Sequence, residues 1–369
     1  MKLTIDRTIL SEACLHVSRA VSTKSTLPAL EGLLLKGSGE SLEITGYDLE
    51  LGIKTTIPAA VSADGEIILN ARLFCDIVRS LPEENVSINA DTKCMTEIKS
   101  GDAEFSIMGI DAGEFPSLPV IEDEESFLIE GEMLSAMFKQ TLFAVAQTDV
   151  KPVLTGVLFE IEDGVLTLVA LDGYRLAMRK EAVQADIKAK FIVPGKTVGE
   201  ILKLVTGNEE NVEIIVGPRH IMFRIEHYYV ISRLLEGSFI DYKAAIPASF
   251  SAEVIVSARA FINSIERISL LITDRLKSPV RCVFADNMIK NNCITTIGKA
   301  NDQISVTMTE DTNIEMGFNN KYLLDALKVC DDEEVKIELS GPLAPMKIVP
   351  VEGNSFLFLV LPVRLKAEG

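Results

Sequence analysis

An internal threefold repeat constrains this chain more than any other feature. A displacement of about 124 residues places Pro28 on Pro152, Leu30 on Leu154, Gly32 on Gly156 and Leu34 on Leu158. The same displacement places Leu42 on Leu166, Asp48 on Asp172 and Ile77 on Ile201. A third, fainter copy begins near Ser251, with Ser278-Pro279-Val280 as its counterpart of the proline. Three copies of about 123 residues fill the 369 and leave no room for a separate catalytic domain. Each copy is long enough to be a domain with its own core, unlike the short units of a solenoid.

Every copy has the same order of elements. An apolar stripe of helical period comes first: Ile9, Leu10, Ala13 and Val17; then Leu134, Met137, Phe138 and Leu142; then Phe261, Ile262, Ile265 and Ile268. Paired strand patterns follow, clearest in VLFEIEDGVLTLVAL, where Asp163-Gly164 is a two-residue hairpin signal. A second, shorter helix and further alternating runs such as AEFSIMGI and HIMFRIEHYYVISRLL complete the unit. Acidic Glu122–Glu125 marks the first joint and Ile246–Ser251 the second. The expectation is an α+β chain of three tandem two-helix plus β-sheet domains at 1–123, 124–249 and 250–369.

The sharpest functional signal lies on the second helices. Arg72, Asp76 and Arg79 stand at i, i+4 and i+7, and so do Lys196, Glu200 and Lys203, and Lys321, Asp325 and Lys328. Residues so spaced share one helical face, so each helix presents two cations, with a carboxylate between them to fix their rotamers. Taken singly, each triplet suits an ordinary solvated helix face. Three equivalent domains in an arc, however, would aim three basic faces at one centre, and two arcs would close a six-domain ring by twofold symmetry. Lys24, Lys139 and Lys151 flank these helices and could add phosphate contacts. Such cations would hold duplex DNA by its backbone without reading bases. No recognition helix or zinc-finger spacing is present, and with no Trp and 6% aromatics, stacking on single strands is disfavoured. The net charge of −18 then belongs to the exterior, discouraging DNA from adhering outside the bore.

Other function classes find little support. His16, His220 and His227 show no metal-ligand spacing, and the last two fall in a strand-like run. Pro194-Gly195-Lys196-Thr197 resembles the end of a phosphate-binding loop, but Lys190 stands where the upstream glycine is required. The six cysteines lie scattered, without CxxC or a neighbouring His, as reduced cytosolic thiols do. MKLTIDRTIL lacks the apolar core of a leader, and no run of apolar residues is long enough to span a bilayer. A hydrolase built around Asp48 and Asp172 is the alternative enzyme reading. Their repetition after a β run points instead to a structural turn. A repeat scaffold that binds only protein is the third reading. Neither a catalytic residue, a metal nor a cofactor is expected, and the expected location is cytoplasmic.

TLPAL (26–30), FPSLP (115–119), PVLTGVLFE (152–160), ALDGYRL (170–176) and LPVRL (361–365) together resemble the bacterial DNA polymerase III beta subunit family, the processivity clamps, from end to end. The resemblance implies a head-to-tail homodimer ring around double-stranded DNA, with Thr148 near the DNA where many relatives carry Gln. It also implies a groove for short linear peptides of the DNA polymerase III alpha subunit, the clamp loader and repair factors. Carried over by position, that groove comprises Leu154, Leu171, Gly173, Tyr174, Arg175, Leu176, Pro247, Asn319, Tyr322, Leu343, Val360, Leu361, Pro362, Val363 and Arg364. Leu171 stands where many relatives carry Thr, and Lys366–Gly369 runs past the usual terminus. For the dimer contact the resemblance points to Leu73, Ile77, Leu81, Phe105 and Ile107 against the partner's Leu271 and Ile272.

Overall fold

The computed structural model describes residues 1–121, 125–148, 151–185, 187–207, 209–273 and 278–365. All but Glu125 of the acidic joint Glu122–Glu125, and the terminal Lys366–Gly369, therefore lie outside the described residues. Among the described residues, six helices carry the repeat: α1 (Arg7–Val17), α2 (Ala71–Ser80), α3 (Gly131–Leu142), α4 (Gly195–Val205), α5 (Ala258–Ser269) and α6 (Asn320–Lys328). A strand not foreseen from the sequence precedes the first helix of each copy, at Lys2–Asp6, Glu125–Glu130 and Ala252–Ser257. Polar residues at the ends of strands start four of the helices by accepting orphan backbone N–H groups. The Asp6 carboxylate accepts from Thr8 N–H at 2.7 Å, and the Asn70, Ser257 and Asn319 side chains do the same for α2, α5 and α6.

The chain divides into two compact units, Met1–Leu134 with Glu200–Leu234, and Ser135–Gly199 with Leu235–Gly369. In the first, an eight-stranded sheet joins strands of the first and second copies through Leu51–Pro58 and Tyr228–Arg233, in the register Ile53↔Val230. In the second, a nine-stranded sheet joins the second and third copies through Arg175–Ala182 and Phe356–Val360, in the register Ala177↔Phe358. Strands of the middle copy thus belong to both units, because each of its halves continues a neighbour's sheet. The joining strands Leu51–Pro58 and Arg175–Ala182 occupy equivalent places in the repeat. Two smaller sheets have no such neighbour among the described residues: a five-stranded sheet of the first copy ending on Ala103–Met108, and a four-stranded sheet of the third ending on Gly298–Ser305.

Alternation places one face of each strand in the core. Phe74, Phe138, Phe159, Phe223, Phe261, Phe284, Phe318 and Phe358 are among the largest fully buried side chains. Each such ring contributes roughly 2–3 kcal/mol of transfer free energy. The Asp163-Gly164 hairpin forms as read, with φ of 52° and 71°. The Ser278-Pro279 counterpart departs from its copies. Pro28–Glu31 and Pro152–Thr155 are 3-10 turns, whereas 278–279 carries no helix and the strand Val280–Ala285 starts at once. All six cysteines are unpaired, four of them buried. Among the described residues no helix is long and apolar enough to cross a membrane, and no group of three or more His, Cys, Asp or Glu could hold a metal ion.

Candidate functional site

The repeated aspartates are turn formers. Asp48 Oδ1 accepts the N–H groups of Glu50 and Leu51 at 3.0 and 2.7 Å, and Asp172 Oδ1 those of Tyr174 and Arg175 at 2.9 and 3.1 Å. The residue between sits in the left-handed region in both copies: Leu49 at φ 76° and Gly173 at φ 92°. This turn leads directly into the joining strand of each copy, Leu51–Pro58 and Arg175–Ala182. A hydrolytic role for the two carboxylates finds no support here, since both oxygens of Asp172 are already engaged.

The cations singled out on the second helices, Arg72, Arg79, Lys196, Lys203, Lys321 and Lys328, are exposed, as are Lys24, Lys139, Thr148 and Lys151. Lys139 stands on α3, the first helix of its copy, rather than beside the second. In the first two triplets the central carboxylate pairs within its helix: Arg79 to Asp76 at 3.3 Å, and Lys203 to Glu200 at 2.8 Å. Arg19, in the 3-10 turn Ser18–Ala20 that follows α1, also reaches Glu200, at 3.3 Å. The third triplet departs from the expected internal pairing. Asp325 faces Arg175 at 2.6 Å, while Lys328 reaches across to Glu266 of α5 at 2.7 Å. The physical reason is burial: the Arg175 side chain is only 7% exposed and draws a second carboxylate to balance its charge.

Arg175 is the node of a cleft of about 1090 Å³ lined by Gln147, Thr148, Asp172, Tyr174, Arg175, Ile272, Thr273, Pro279, Asn319, Lys321, Tyr322, Val363 and Arg364, among others. Its Nε donates to Asp172 Oδ2 at 3.0 Å, and its guanidinium lies over the Tyr322 and Phe143 rings at 4.6 and 5.6 Å. Tyr174 and Tyr322 stack at 5.8 Å, with Tyr174 60% exposed. Burial, with Asp172 next to it, raises the Tyr322 hydroxyl pKa, so the ring presents a neutral donor. The tail is laid beside this cleft by backbone pairing: Leu361 N–H donates to Tyr174 O at 2.9 Å, and Val363 N–H to Gly317 O at 2.8 Å.

The structure separates the predicted groove residues into three groups. Tyr174, Arg175, Asn319, Tyr322, Val363 and Arg364 line the cleft. Gly173, Leu343 and Leu361 are exposed, and Pro247 and Pro362 half-buried. Leu154, Leu171 and Leu176 instead join a buried cluster with Tyr242, Val349 and Leu359, and Val360 is buried in its strand. Ile272, Thr148 and Lys321, read from the sequence as belonging to other surfaces, open onto the same cleft. Sequence reasoning missed Phe143 and Gln147, which no spacing marks. Of the dimer set, Phe105 and Ile107 are half-buried on the edge strand Ala103–Met108, and Leu271 and Ile272 are half-buried beyond α5. Leu73 is 47% exposed, but Ile77 and Leu81 are buried within their own fold. His220 lies on a strand, whereas His227 falls in the turn between Ile225 and Tyr228 rather than within the run.

Three family profiles tile the chain, those of the DNA polymerase III beta subunit N-terminal domain (residues 1–119), central domain (128–241) and C-terminal domain (243–364). Beta sliding clamps of Halalkalibacterium halodurans and Bacillus subtilis are 35% and 33% identical, over 99% of this chain and 100% of theirs. The crystal structure of the Bacillus subtilis DNA polymerase sliding clamp, 32% identical, superposes with a TM-score of 0.95 over 99% of this chain and 100% of that one. A Pseudomonas aeruginosa sliding clamp bound to griselimycin, 29% identical, gives 0.93 over 99% of this chain and 100% of that one. The threefold repeat, the joined sheets and these matches together make this chain a member of the DNA polymerase III beta subunit family, the beta sliding clamps.

Proposed function

We propose that this protein is a processivity clamp: two copies close into a ring around duplex DNA and tether the replicative polymerase to it. The carrying observation is a pair of incomplete sheets. The nine-stranded sheet that joins the second and third copies has four strands from one and five from the other. The isolated sheets at the two ends of the repeat supply four and five strands in the same order. Their edges left open among the described residues, Ala103–Met108 and Gly298–Ser305, are the equivalents of the strands that pair inside the chain. An unpaired edge exposes a row of N–H and C=O groups. Pairing it with the complementary edge of a second copy, twice by twofold symmetry, leaves neither edge open and gives a closed head-to-tail dimer. Phe105 and Ile107 lie on one edge, and Leu271 packs beside the other, where a Cβ on Gly298 would stand 3.8 Å from Leu271 Cδ1.

In this reading the three domains are 1–123, 124–249 and 250–369, and their second helices direct Arg72, Arg79, Lys196, Lys203, Lys321 and Lys328 at phosphates. Lys24, Lys139, Thr148 and Lys151 assist. Contact is sequence-neutral, and attachment comes from enclosure. The cleft around Arg175 and Tyr322 receives short linear peptides of the polymerase alpha subunit, the clamp loader and repair factors, and griselimycin is expected to bind there as well. An apolar wall with a few fixed polar anchors suits such ligands. The protein acts in the cytoplasm without chemistry of its own.

Reversing the charge of Lys196, Lys203, Lys321 and Lys328 tests the assignment: loading or retention on DNA falls while sedimentation still reports a dimer. Undiminished retention in that variant overturns the assignment of the inner face.

A further inference from the structure

The segment between Arg233 and Ala252 holds no strand, only the 3-10 turn Lys243–Ala245. It is nonetheless anchored. Leu235 N–H donates to Ile192 O at 2.9 Å, and Leu235, Phe239 and Ile246 pack onto the buried cluster that contains Leu154, Leu171 and Leu176. Tyr242 enters that cluster, 3% exposed, and is its one polar-tipped member among the described residues. A buried tyrosine hydroxyl needs a partner, and this one donates to Glu160 Oε2 at 2.7 Å. Glu160 is held in turn by Lys190 at 3.1 Å and Lys243 at 3.8 Å. The Lys243 ammonium also lies 5.7 Å from the Tyr242 ring. Burial opposes ionisation of Glu160, but the Tyr242 hydroxyl and Lys190 outweigh it and hold the carboxyl below its ordinary value. Burial and Glu160 together push the Tyr242 hydroxyl up. At neutral pH the pair is therefore a phenol donating to a carboxylate. Beyond it the turn delivers Pro247, with Ala245 N–H bonded to Tyr242 O at 3.1 Å and Ile246 N–H to Lys243 O at 3.3 Å.

We infer that the Tyr242–Glu160 hydrogen bond is a latch that fixes the 235–247 strap as a wall of the ligand groove. Tyr242 and Glu160 are thereby positioning residues for ligand capture, acting through the strap and through Leu154, Leu171 and Leu176. This rests on the groove reading given above. Beyond the Leu235–Ile192 bond at its start the strap gains no hydrogen-bonded ladder, so side-chain anchors set the place of the rest over the cluster. Tyr242 is the anchor whose geometry is directional, since apolar packing by Phe239 and Ile246 leaves the strap free to slide.

Griselimycin binding to the full-length protein, measured by titration calorimetry well below the melting temperature, tests the latch. Tyr242→Phe and Glu160→Ala should each weaken binding about five- to tenfold, a loss of the size of one ordinary intramolecular hydrogen bond, because the bond reaches the ligand only through the strap. The double variant should lose no more than either single one. Glu160→Gln should lose less, because its amide oxygen still accepts from the hydroxyl. Hydrogen exchange should rise within 235–247 and stay unchanged in α5 and α6. A role in stability alone would lower the melting temperature and leave affinity untouched. Affinity of Tyr242→Phe within twofold of the parent, while Tyr174→Ala binds weakly, overturns the latch and leaves the groove standing. Unchanged affinity in Tyr174→Ala overturns the groove reading, and the latch with it.

Discussion

Arg175 should be among the costliest single side chains to remove from the second unit. Its side chain is 7% exposed, yet it carries a full charge held by Asp172 at 3.0 Å and Asp325 at 2.6 Å, with Tyr322 4.6 Å from its guanidinium. A hydrogen bond to a buried charged group contributes roughly 1.5–3 kcal/mol. The contact with Asp325 belongs at the low end, because that side chain is 29% exposed and solvent screens it. The cation–π contact adds roughly 0.5–1 kcal/mol. Removing the guanidinium also leaves Asp172, 13% exposed, facing Asp325 with no counterion between them. Arg175→Ala should therefore destabilise the unit by about 4 kcal/mol, and Asp325→Asn by only about 1.5 kcal/mol. In a double-mutant cycle of Arg175→Ala and Asp325→Ala, the coupling should be about 2 kcal/mol. Urea unfolding of the intact protein, followed by circular dichroism, measures each value. A loss under about 1 kcal/mol for Arg175→Ala would show that solvent, not the two carboxylates, balances this charge, and would refute the reasoning.

Three further outcomes follow from local geometry. Leu49 is held at φ 76° where its repeat equivalent is glycine, so Leu49→Gly should relieve strain and raise the urea midpoint by up to about 1 kcal/mol of stability; a lower midpoint would contradict this. A Cβ on Gly317 would stand 2.5 Å from Leu365 Cδ2 and 3.0 Å from Val363 O, so Gly317→Ala should displace the tail and weaken ligand capture in the proposed groove, read with griselimycin as the probe, while leaving the proposed dimer intact. Wild-type affinity in that variant would count against a role for the tail in the groove. Burial, aided by Arg19 and His227 against Glu12 and Glu200, holds the His16 imidazole below its ordinary 6.5, and its Nδ1 is buried without a hydrogen-bond partner among the described residues. The unfolded chain then takes up the proton first, so this site leaves stability intact above pH 6.5 and erodes it as the pH falls toward the depressed folded value. The melting temperature of His16→Phe should fall less than that of the parent on acidification through that window, and an equal fall would remove His16 from the account.

Much of the fold was legible because the repeat supplied its own comparison. Asp48 and Asp172 could be read as turn formers since the same residue recurred after the same β run, and both prove to close that turn through one carboxylate oxygen. The helix pairs and the Asp163-Gly164 hairpin followed from periodicity and turn chemistry. Partner choice was not legible. Asp325 sits between two lysines at helical spacing, but its carboxylate is claimed by Arg175, 150 residues away, and only the packed structure brings that buried charge within reach. Leu154, Leu171 and Leu176 look alike in sequence whether they wall a groove or fill a core, and apolar residue type alone cannot separate the two. Tyr242 carried no motif, because its importance arises from a long-range contact with Glu160. The strands preceding α1, α3 and α5 were missed since their alternation is short and runs directly into a helix.

Retention on DNA of different topology tests the central claim most directly. The protein, loaded on nicked circular duplex by its loading machinery, should stay bound through a high-salt gel filtration and leave when the circle is cut once. Salt removes phosphate contacts but cannot open an enclosed ring. Equal loss from circular and linear DNA in high salt would mean that affinity, not enclosure, holds this protein to its substrate.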